Sequence, residues 1–379
     1  MQYIFVAIIL IIYGLLNYYI GRRGLQSINT KIPIIKIVYW IILFSFASMY
    51  IVGMSGKNYL PERLHIIIST IGGYWLAAFV YLIGFIVIID IFRFLGNRLN
   101  LVPRIIKNNT WFVALVVVTI VAFILAIGTY NAIVPNVVDY NISINKKAGD
   151  MKQLKCAMIS DIHLGETIGR ERLHNAVGII NELEADIVVI TGDLIDNDIE
   201  PIEKSHMLEE LKGIKSKYGV YAILGNHEYY GNATEKITEL IEASGVTVLR
   251  DKYVKIQDSF YLVGREDSTG VMKGYNRAKL DALLIGVDKK LPVLVLDHQP
   301  IELDESRKEE IDLQLSGHTH AGQFFPISLA TIAIYEEDNG HLKDNNFNLI
   351  VSCGYGTWGP SIRIGSQSEI VNININFAQ

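Results

Sequence analysis

The pattern of hydrophobic positions divides the chain into two parts. As far as about residue 134, long apolar stretches alternate with short basic loops, whereas the rest has short apolar runs between polar segments. The long stretches are close to or above the roughly 20 residues that span a bilayer. They cover residues 3–20, 34–54, 65–95 and 111–134. We predict an all-α region of four transmembrane helices over residues 1–134 and a second domain over residues 135–379.

Composition supports this division, because 50% of the residues are hydrophobic and the mean hydropathy is +0.30. A soluble domain of this size seldom reaches such values. The first apolar stretch has one alternative, a cleaved signal peptide. No basic region precedes it and no convincing small-residue cleavage site follows it. A membrane helix is therefore the favoured interpretation.

Basic residues in the loops predict the orientation, since short loops rich in Lys and Arg stay in the cytoplasm. The second loop carries only Lys57 and Arg63 against Glu62. The first and third loops are richer in basic residues: Arg22, Arg23, Lys31 and Lys36 in the first, and Arg93, Arg98, Arg104 and Lys107 in the third. Both termini and the second domain of this multi-pass cell-membrane protein are then extracytoplasmic. Asp90 lies near Arg93 at the inner interface, so we interpret the membrane region as an anchor.

In the second part, five short apolar runs are each followed by metal-type ligands. The runs 156–160, 186–191, 220–224, 293–296 and 313–316 are typical of buried strands. The clusters that follow them are Asp161-Ile162-His163, Gly192-Asp193, Gly225-Asn226-His227, Asp297-His298 and Gly317-His318-Thr319-His320. Side chains at the carboxyl ends of adjacent strands converge on one edge of a sheet. Asp, Asn and His at such an edge predict a site for more than one divalent metal.

The rest of the second part predicts further helices and strands. Residues 135–144 alternate as in an edge strand, residues 171–183 and 234–243 have helical spacing, and residues 246–249 and 371–377 read as strands. Pattern alone therefore indicates an α/β fold. The only two cysteines, Cys156 and Cys353, lie far apart, which argues against zinc-finger chemistry. We expect buried thiols, and whether they pair is left open.

Five motifs occur in a fixed order: D-x-H, G-D, G-N-H-[DE], a lone His after a strand, and G-H-x-H. On these motifs the chain from about residue 135 onward resembles the calcineurin-like metallophosphoesterase superfamily. It is similar in particular to the bacterial membrane-associated phosphodiesterase branch, in residues 160–165, 296–300 and 354–360. The resemblance implies a four-layer α/β/β/α sandwich.

The resemblance also implies two divalent metal ions, with Mn²⁺ favoured and Fe or Zn²⁺ compatible with the ligand types. The implied ligands are Asp161, His163 and His320 for one ion, Asn226, His298 and His318 for the other, and Asp193 between them. Two ions about 3.5–4 Å apart need such a shared carboxylate. A hydroxide bound between the metals is the implied nucleophile, attacking phosphorus in line.

His227 follows the presumed ligand Asn226, and strand alternation points neighbouring side chains in different directions. His227 is therefore free for another role. In the family, the histidine of G-N-H protonates the leaving oxygen or stabilises the transition state, which is general-acid work. The acid three residues beyond the G-D aspartate is its family partner, and here that residue is Asp196. The alternative for Asp196 is an ordinary turn or helix-start residue.

A departure from the protein-phosphatase branch bears on the substrate. Those enzymes continue with Arg-Gly after the acid, whereas this chain has Asn197-Asp198. A bidentate Arg suits a terminal phosphate dianion, so its absence favours a phosphodiester or pyrophosphate. Arg170, Arg265 and Arg363 could contact phosphate, although such residues are more often solvated surface charges.

We therefore expect a membrane-anchored, metal-dependent phosphoesterase acting on an envelope component such as a lipid-linked or nucleotide-linked sugar. A phosphomonoesterase and a non-enzymatic, metal-dependent ligand-binding module are the alternatives. The net charge of −5 provides no basic surface for nucleic acid. No sequence feature indicates the oligomeric state.

Overall fold

The computed structural model describes residues 2–57, 59–99 and 109–379. Its internal contacts divide the chain into two units, residues 1–128 and residues 129–379. The first unit contains four long helices, which are α1 (Gln2–Ile28), α2 (Pro33–Ser55), α3 (Glu62–Arg98) and most of α4 (Thr110–Ile133). All four are long and apolar enough to cross a membrane, as predicted. Arg104 and Lys107, which contributed to the orientation argument, lie outside the described residues.

Helix α1 is longer than its apolar stretch, so Arg23 lies within the helix. The Arg23 guanidinium and the Tyr19 hydroxyl both donate to the carboxylate of Asp90 in α3. In the sequence, the basic residue nearest to Asp90 in the same helix is Arg93. The structure adds partners from another helix, because an ionisable group at membrane depth is stabilised by pairing. Asp90 therefore ties α1 to α3.

Two six-stranded sheets form the second unit. The first sheet has the order β1-β12-β2-β3-β4-β5 and the second the order β10-β11-β9-β8-β7-β6. The strands are β1 (Asn136–Ile144), β2 (Gln153–Ile159), β3 (Ile187–Thr191), β4 (Val220–Ile223), β5 (Thr247–Val248), β6 (Lys252–Ile256), β7 (Phe260–Gly264), β8 (Val293–Leu296), β9 (Leu313–Ser316), β10 (Gly340–Asp344), β11 (Phe347–Val351) and β12 (Glu369–Phe377). Strand β1 lies at an edge, as its alternating pattern predicts.

Helices such as α5 (Arg170–Glu182) and α10 (Leu280–Leu283) cover the outer faces of the two sheets. The other helices of this unit are α6 (Glu200–Lys204), α7 (His227–Tyr230), α8 (Thr234–Ala243), α9 (Ser268–Met272), α11 (Leu303–Lys308) and α12 (Ser328–Ile334), with short 3₁₀ turns at Met207–Gly213 and His320–Gly322. Helix α8 has the predicted bounds. Helix α5 begins one residue earlier than predicted and also ends one residue earlier.

Three apolar layers hold the unit together, because successive residues of a strand point to opposite faces. In β2, Met158 packs between the two sheets and Ile159 packs outward, in the same apolar layer as Leu173 of α5. On the far side, Val295 of β8 shares a third layer with Leu280 of α10. The four-layer α/β/β/α architecture is thereby confirmed.

Within each sheet, the ligand-bearing strands run parallel to one another. Strands β2, β3 and β4 are parallel in the first sheet, and β8 and β9 are parallel in the second. Their carboxyl ends therefore meet at one edge within each sheet.

Candidate metal centre

The loops after β2, β3 and β9 have strained backbones. Five residues of the implied ligand set have a backbone φ between +50° and +72°, a region that non-glycine residues seldom adopt. They are Asp161, His163, Asp193, His318 and His320. Each such conformation costs about 1–3 kcal/mol and persists only where the surroundings enforce it. Backbone hydrogen bonds enforce it here, since the Asp161 N–H donates to Gly192 O at 3.1 Å and the His163 N–H donates to Asp193 O at 3.0 Å.

One group of buried ligand atoms lies between the ends of β2 and β9. Nε2 of His163 lies 3.0 Å from Nε2 of His320. Nε2 of His320 lies 3.4 Å from Oδ1 of Asp161, and Nε2 of His163 lies 3.8 Å from Oδ2 of Asp193. These separations suit ligands that each bind one central ion at about 2.0–2.2 Å.

A second group lies between the ends of β4, β8 and β9. Oδ1 of Asn226 lies 2.7 Å from Nδ1 of His318 and 3.1 Å from Nε2 of His298. Nε2 of His298 also lies 3.3 Å from Oδ2 of Asp193. The same Asp193 oxygen therefore borders both groups.

Hydrogen bonding at His298 shows that this donor set suits a cation. Its Nδ1 lies 2.8 Å from the Thr191 carbonyl oxygen, which can only accept, so Nδ1 carries a proton. Nε2 faces Asn226 Oδ1 and Asp193 Oδ2, which are both acceptors. Burial lowers the pKa of His298, but the charge of Asp193 outweighs it and raises that pKa well above its ordinary value. Convergent acceptors of this kind call for positive charge, and imidazole and carboxylate ligands suit Mn, Fe or Zn.

His227 begins the short helix α7 directly after Asn226. Its Nδ1 lies 2.8 Å from Oδ1 of Asp196, and its backbone N–H donates to Oδ1 of Asp193 at 2.9 Å. Burial lowers the pKa of His227, but the hydrogen bond to Asp196 and the charge of Asp193 more than offset this, so the net shift is upward. Asp196 is thus a partner of His227, and the simple turn role is not needed to explain it. We expected strand alternation to separate His227 from Asn226, and a helical turn separates them instead.

Comparisons with known proteins agree with this arrangement. Residues 154–322 match the family described as calcineurin-like phosphoesterase. A zebrafish (Danio rerio) protein named "Transmembrane protein with metallophosphoesterase domain" is 32% identical over 323 residues, which cover 79% of this chain and 74% of the relative. The chain belongs to the calcineurin-like phosphoesterase family. An uncharacterised metallophosphoesterase of Campylobacter jejuni is 29% identical over 384 residues, 98% of each chain.

Calcineurin-like phosphoesterases are metal-dependent hydrolases of phosphoric esters, and this member brings the seven implied ligands of its family together in space. The zebrafish relative's name and the four apolar helices together indicate a membrane protein.

The role of Glu228 is not evident from the sequence, although this residue fills the last position of the family's G-N-H-[DE] motif. Its buried carboxylate accepts backbone N–H bonds from Gly225, Asp193 and Ile195 at 2.7, 3.1 and 2.8 Å. Burial and the charge of Asp193 raise the pKa of Glu228 to about 7. Glu228 therefore joins the loop after β3 to the loop after β4 and sets their spacing.

Two of the arginines proposed as phosphate contacts are buried. The Arg363 guanidinium donates to the carbonyl oxygens of Cys353 and Gly356 at 2.7 and 2.6 Å, and it lies 3.2 Å from Nδ1 of His320. Arg265 pairs with Asp297 at 3.1 Å. The interpretation as solvated surface charges is wrong for both residues, because both side chains are buried and bonded to protein groups.

Other residues noted from the sequence have structural partners. Asp297 also pairs with Arg277 at 2.8 Å, so this acid of the Asp297-His298 cluster serves an ion-pair network. Arg170 pairs with Glu210 at 2.6 Å. Both cysteines are free and buried, as expected.

Proposed function

We propose that this protein is a membrane-anchored phosphoesterase that hydrolyses a phosphodiester or pyrophosphate bond with two divalent metal ions, preferentially Mn²⁺. The observation that supports it most is the position of Asp193 Oδ2, 3.3 Å from Nε2 of His298 and 3.8 Å from Nε2 of His163. A single carboxylate oxygen between two ligand groups is the requirement of a two-metal site. When bound, such ions polarise phosphoryl oxygens and lower the pKa of coordinated water.

The chain's own residues have separate roles in this proposal. One ion is held by Asp161, His163 and His320, the other by Asn226, His298 and His318, and Asp193 is shared. His227 presents Nε2 to the substrate, because Nδ1 is engaged by Asp196. From Nε2 it donates a proton to the leaving oxygen. Asp196 orients the ring and favours the protonated imidazole.

The protein groups that engage three arginines favour a diester or pyrophosphate substrate over a monoester. Arg170, Arg265 and Arg363 are each bonded to protein groups. None of these three is therefore placed as a bidentate clamp for a terminal phosphate dianion. A phosphomonoesterase remains the second candidate on family grounds. A non-enzymatic binding module is less well supported, because the full ligand set and the His227–Asp196 pair are both present.

The proposed substrate is a phosphoester of the cell envelope, either lipid-linked or a nucleotide-linked sugar. The membrane helices support an envelope setting. The net charge of −5 disfavours nucleic acid as the substrate.

We expect the purified protein to hydrolyse bis(p-nitrophenyl) phosphate faster than p-nitrophenyl phosphate, with loss of activity on chelation and recovery on addition of Mn²⁺. The measurement is p-nitrophenol release, with Mg²⁺, Zn²⁺ and Fe²⁺ added in parallel. Faster turnover of the monoester would favour the phosphomonoesterase. Bound metal without turnover of any phosphoester would favour the binding module.

We also propose that both termini face away from the cytoplasm. An alkaline phosphatase reporter fused after Gln379 is then expected to be active, since that enzyme folds only in an oxidising compartment. A green fluorescent protein fused at the same position and exported through the Sec pathway should be dim. A bright, fluorescent fusion with inactive alkaline phosphatase would place the catalytic domain in the cytoplasm and reverse the predicted topology.

A further inference from the structure

A group of exposed apolar side chains lies in the segment that follows the G-H-x-H motif. We call it the apolar ridge and define it as Ile327, Leu329, Ile332 and Ile334 of the α12 region together with Trp358. Exposure is 57% for Leu329, 61% for Ile332 and 72% for Ile334. Helix α12 has no buried residue. Large exposed apolar patches mark surfaces for a partner or a membrane.

The sequence of α12, Ser-Leu-Ala-Thr-Ile-Ala-Ile, lacks the charged face of a surface helix. A helix at a protein–water boundary has one apolar stripe and a polar opposite face. Here the apolar residues point outward, and the polar Thr331 points back to the domain, where its hydroxyl donates to Asp338 at 2.6 Å. Helix α12 therefore presents an apolar surface to its surroundings.

Hydrogen bonds connect the residues just before the ridge, through the segment 363–368, to the end of the fourth apolar helix. The second unit begins at Thr129, so it includes the last turn of α4. There, the Asn131 side chain donates to the Arg363 carbonyl at 3.3 Å, and its own carbonyl accepts from the Ser368 N–H at 2.9 Å. Ile364, the residue after Arg363, donates its backbone N–H to the Gln323 carbonyl oxygen at 2.9 Å. Its own carbonyl oxygen accepts from the Phe325 N–H at 2.9 Å. The segment 363–368 thus bonds to the membrane helix on one side and, on the other, to residues 323–325, which directly precede the ridge.

The same segment reaches the metal centre. The Arg363 guanidinium lies 3.2 Å from Nδ1 of His320. Trp358 is held close to this segment, because its backbone N–H donates to Oε1 of Gln323 at 3.1 Å. The end of a membrane span, the ridge and a metal ligand are therefore connected through a few residues.

From these contacts we propose that the apolar ridge inserts into the interfacial layer of the lipid bilayer and holds the metal centre at the depth of the headgroups. The inference rests on the proposed function and narrows its substrate to an amphiphilic phosphoester that stays in the membrane. Trp and large aliphatic residues are the side chains that enter this layer. Insertion is driven by apolar burial, because α12 itself carries no charged residue. Zwitterionic phosphatidylcholine is therefore a sufficient membrane.

The kinetic test compares two diesters with the same leaving group. Ethyl p-nitrophenyl phosphate is water-soluble, and hexadecyl p-nitrophenyl phosphate is carried in phosphatidylcholine vesicles that also hold the full-length protein. Replacing Leu329, Ile332 and Ile334 with Ser should lower kcat/KM for the hexadecyl ester by at least about tenfold. The rate on the ethyl ester should remain unchanged. An equal loss on both esters, or no loss on either, would overturn membrane insertion of the ridge.

A matched control is Ile285→Ser. This side chain is 76% exposed, and its carbonyl lies near the hydroxyl of Tyr253 on β6, at the opposite edge of the second sheet from β10. The variant should turn over both esters like the wild type. If the wild-type protein cleaves neither ester, the proposed function fails, and ridge insertion is then decided by the following measurement.

That measurement uses a fluorescent label on a new cysteine in place of Ile332 or Ile285. The native thiols will not compete, because both are buried and burial raises the pKa of Cys156 to about 12. In vesicles, a label at position 332 should be quenched by nitroxide-bearing phosphatidylcholine and shielded from iodide. A label at position 285 should behave in the opposite way. Equal iodide quenching at positions 332 and 285 would show that the ridge is exposed to water. Shielding of position 332 from iodide without quenching by the labelled lipid would show that a protein partner covers the ridge. Either result contradicts the proposal.

Discussion

The variant Asp193→Ala is expected to lose both metal ions and to fall in rate by at least about 10³-fold. Removing one preorganised electrostatic group typically costs about 10²–10³ in kcat, and Asp193 serves two ligand groups at once. Its Oδ2 lies 3.3 Å from Nε2 of His298 and 3.8 Å from Nε2 of His163. Elemental analysis of the purified variant gives the metal content, and hydrolysis of bis(p-nitrophenyl) phosphate gives the rate.

Asp304→Ala is the matched control for this change. The Asp304 side chain is 99% exposed on α11 and pairs only with Arg307 of the same helix among the ion pairs of the described chain. Surface pairs of this kind contribute little to stability. The control should keep both the metal content and the rate of the wild type. Retention of two ions by Asp193→Ala would show that this carboxylate does not bridge them.

For His227→Ala we expect unchanged metal content and a fall in kcat of about 10²–10⁴, the usual contribution of a general acid. The structural reason is that Nδ1 of His227 is engaged by Asp196 at 2.8 Å. His227 also lies close to His163 and Asp193, so the metal content of the variant has to be measured together with its rate. Turnover of bis(p-nitrophenyl) phosphate at saturating Mn²⁺, together with elemental analysis, separates the loss of the acid from a loss of metal.

Two further variants sharpen the result for His227. Asp196→Asn should reduce kcat less than His227→Ala, because the amide oxygen still accepts from Nδ1 but no longer stabilises the imidazolium. His174→Ala should have no effect, since His174 lies on the surface, 76% exposed, beside Glu210. Loss of a metal ion from His227→Ala would instead assign that residue to the ligand set.

Sequence reasoning anticipated the local structure because it depends on neighbours in the chain. The apolar run before Asp161 becomes β2, and residues 234–243 become α8 with the predicted bounds. Such patterns indicate directly which alternate or helically spaced positions are buried. Strand β5 is shorter than its apolar run, Thr247–Val248 in place of residues 246–249. It ends a sheet and pairs on one side only, so its bounds depend on its neighbour.

The charged residues show the limit of this reasoning. Arg265 and Arg363 carry no sequence signal that separates them from surface arginines, yet both are buried. Arg265 meets Asp297 because β7 and β8 are neighbours, and Arg363 lies against His320 because the loop before β12 passes the end of β9. Glu228 differs from these arginines, because it occupies a motif position that can be recognised in the sequence. Its three backbone N–H donors become evident only from the structure.

By itself, the sequence determined the four apolar helices, the α/β pattern and the order of the motifs that carry the ligand set. Each of these follows from the periodicity of burial or from residues a few positions apart. Only the tertiary structure decided that Oδ2 of Asp193 lies between two ligand groups, that the Thr191 carbonyl sets the tautomer of His298, and that the segment 363–368 joins the end of α4 to the apolar ridge. These relations join residues far apart in the chain, and strand order and loop packing bring such residues together.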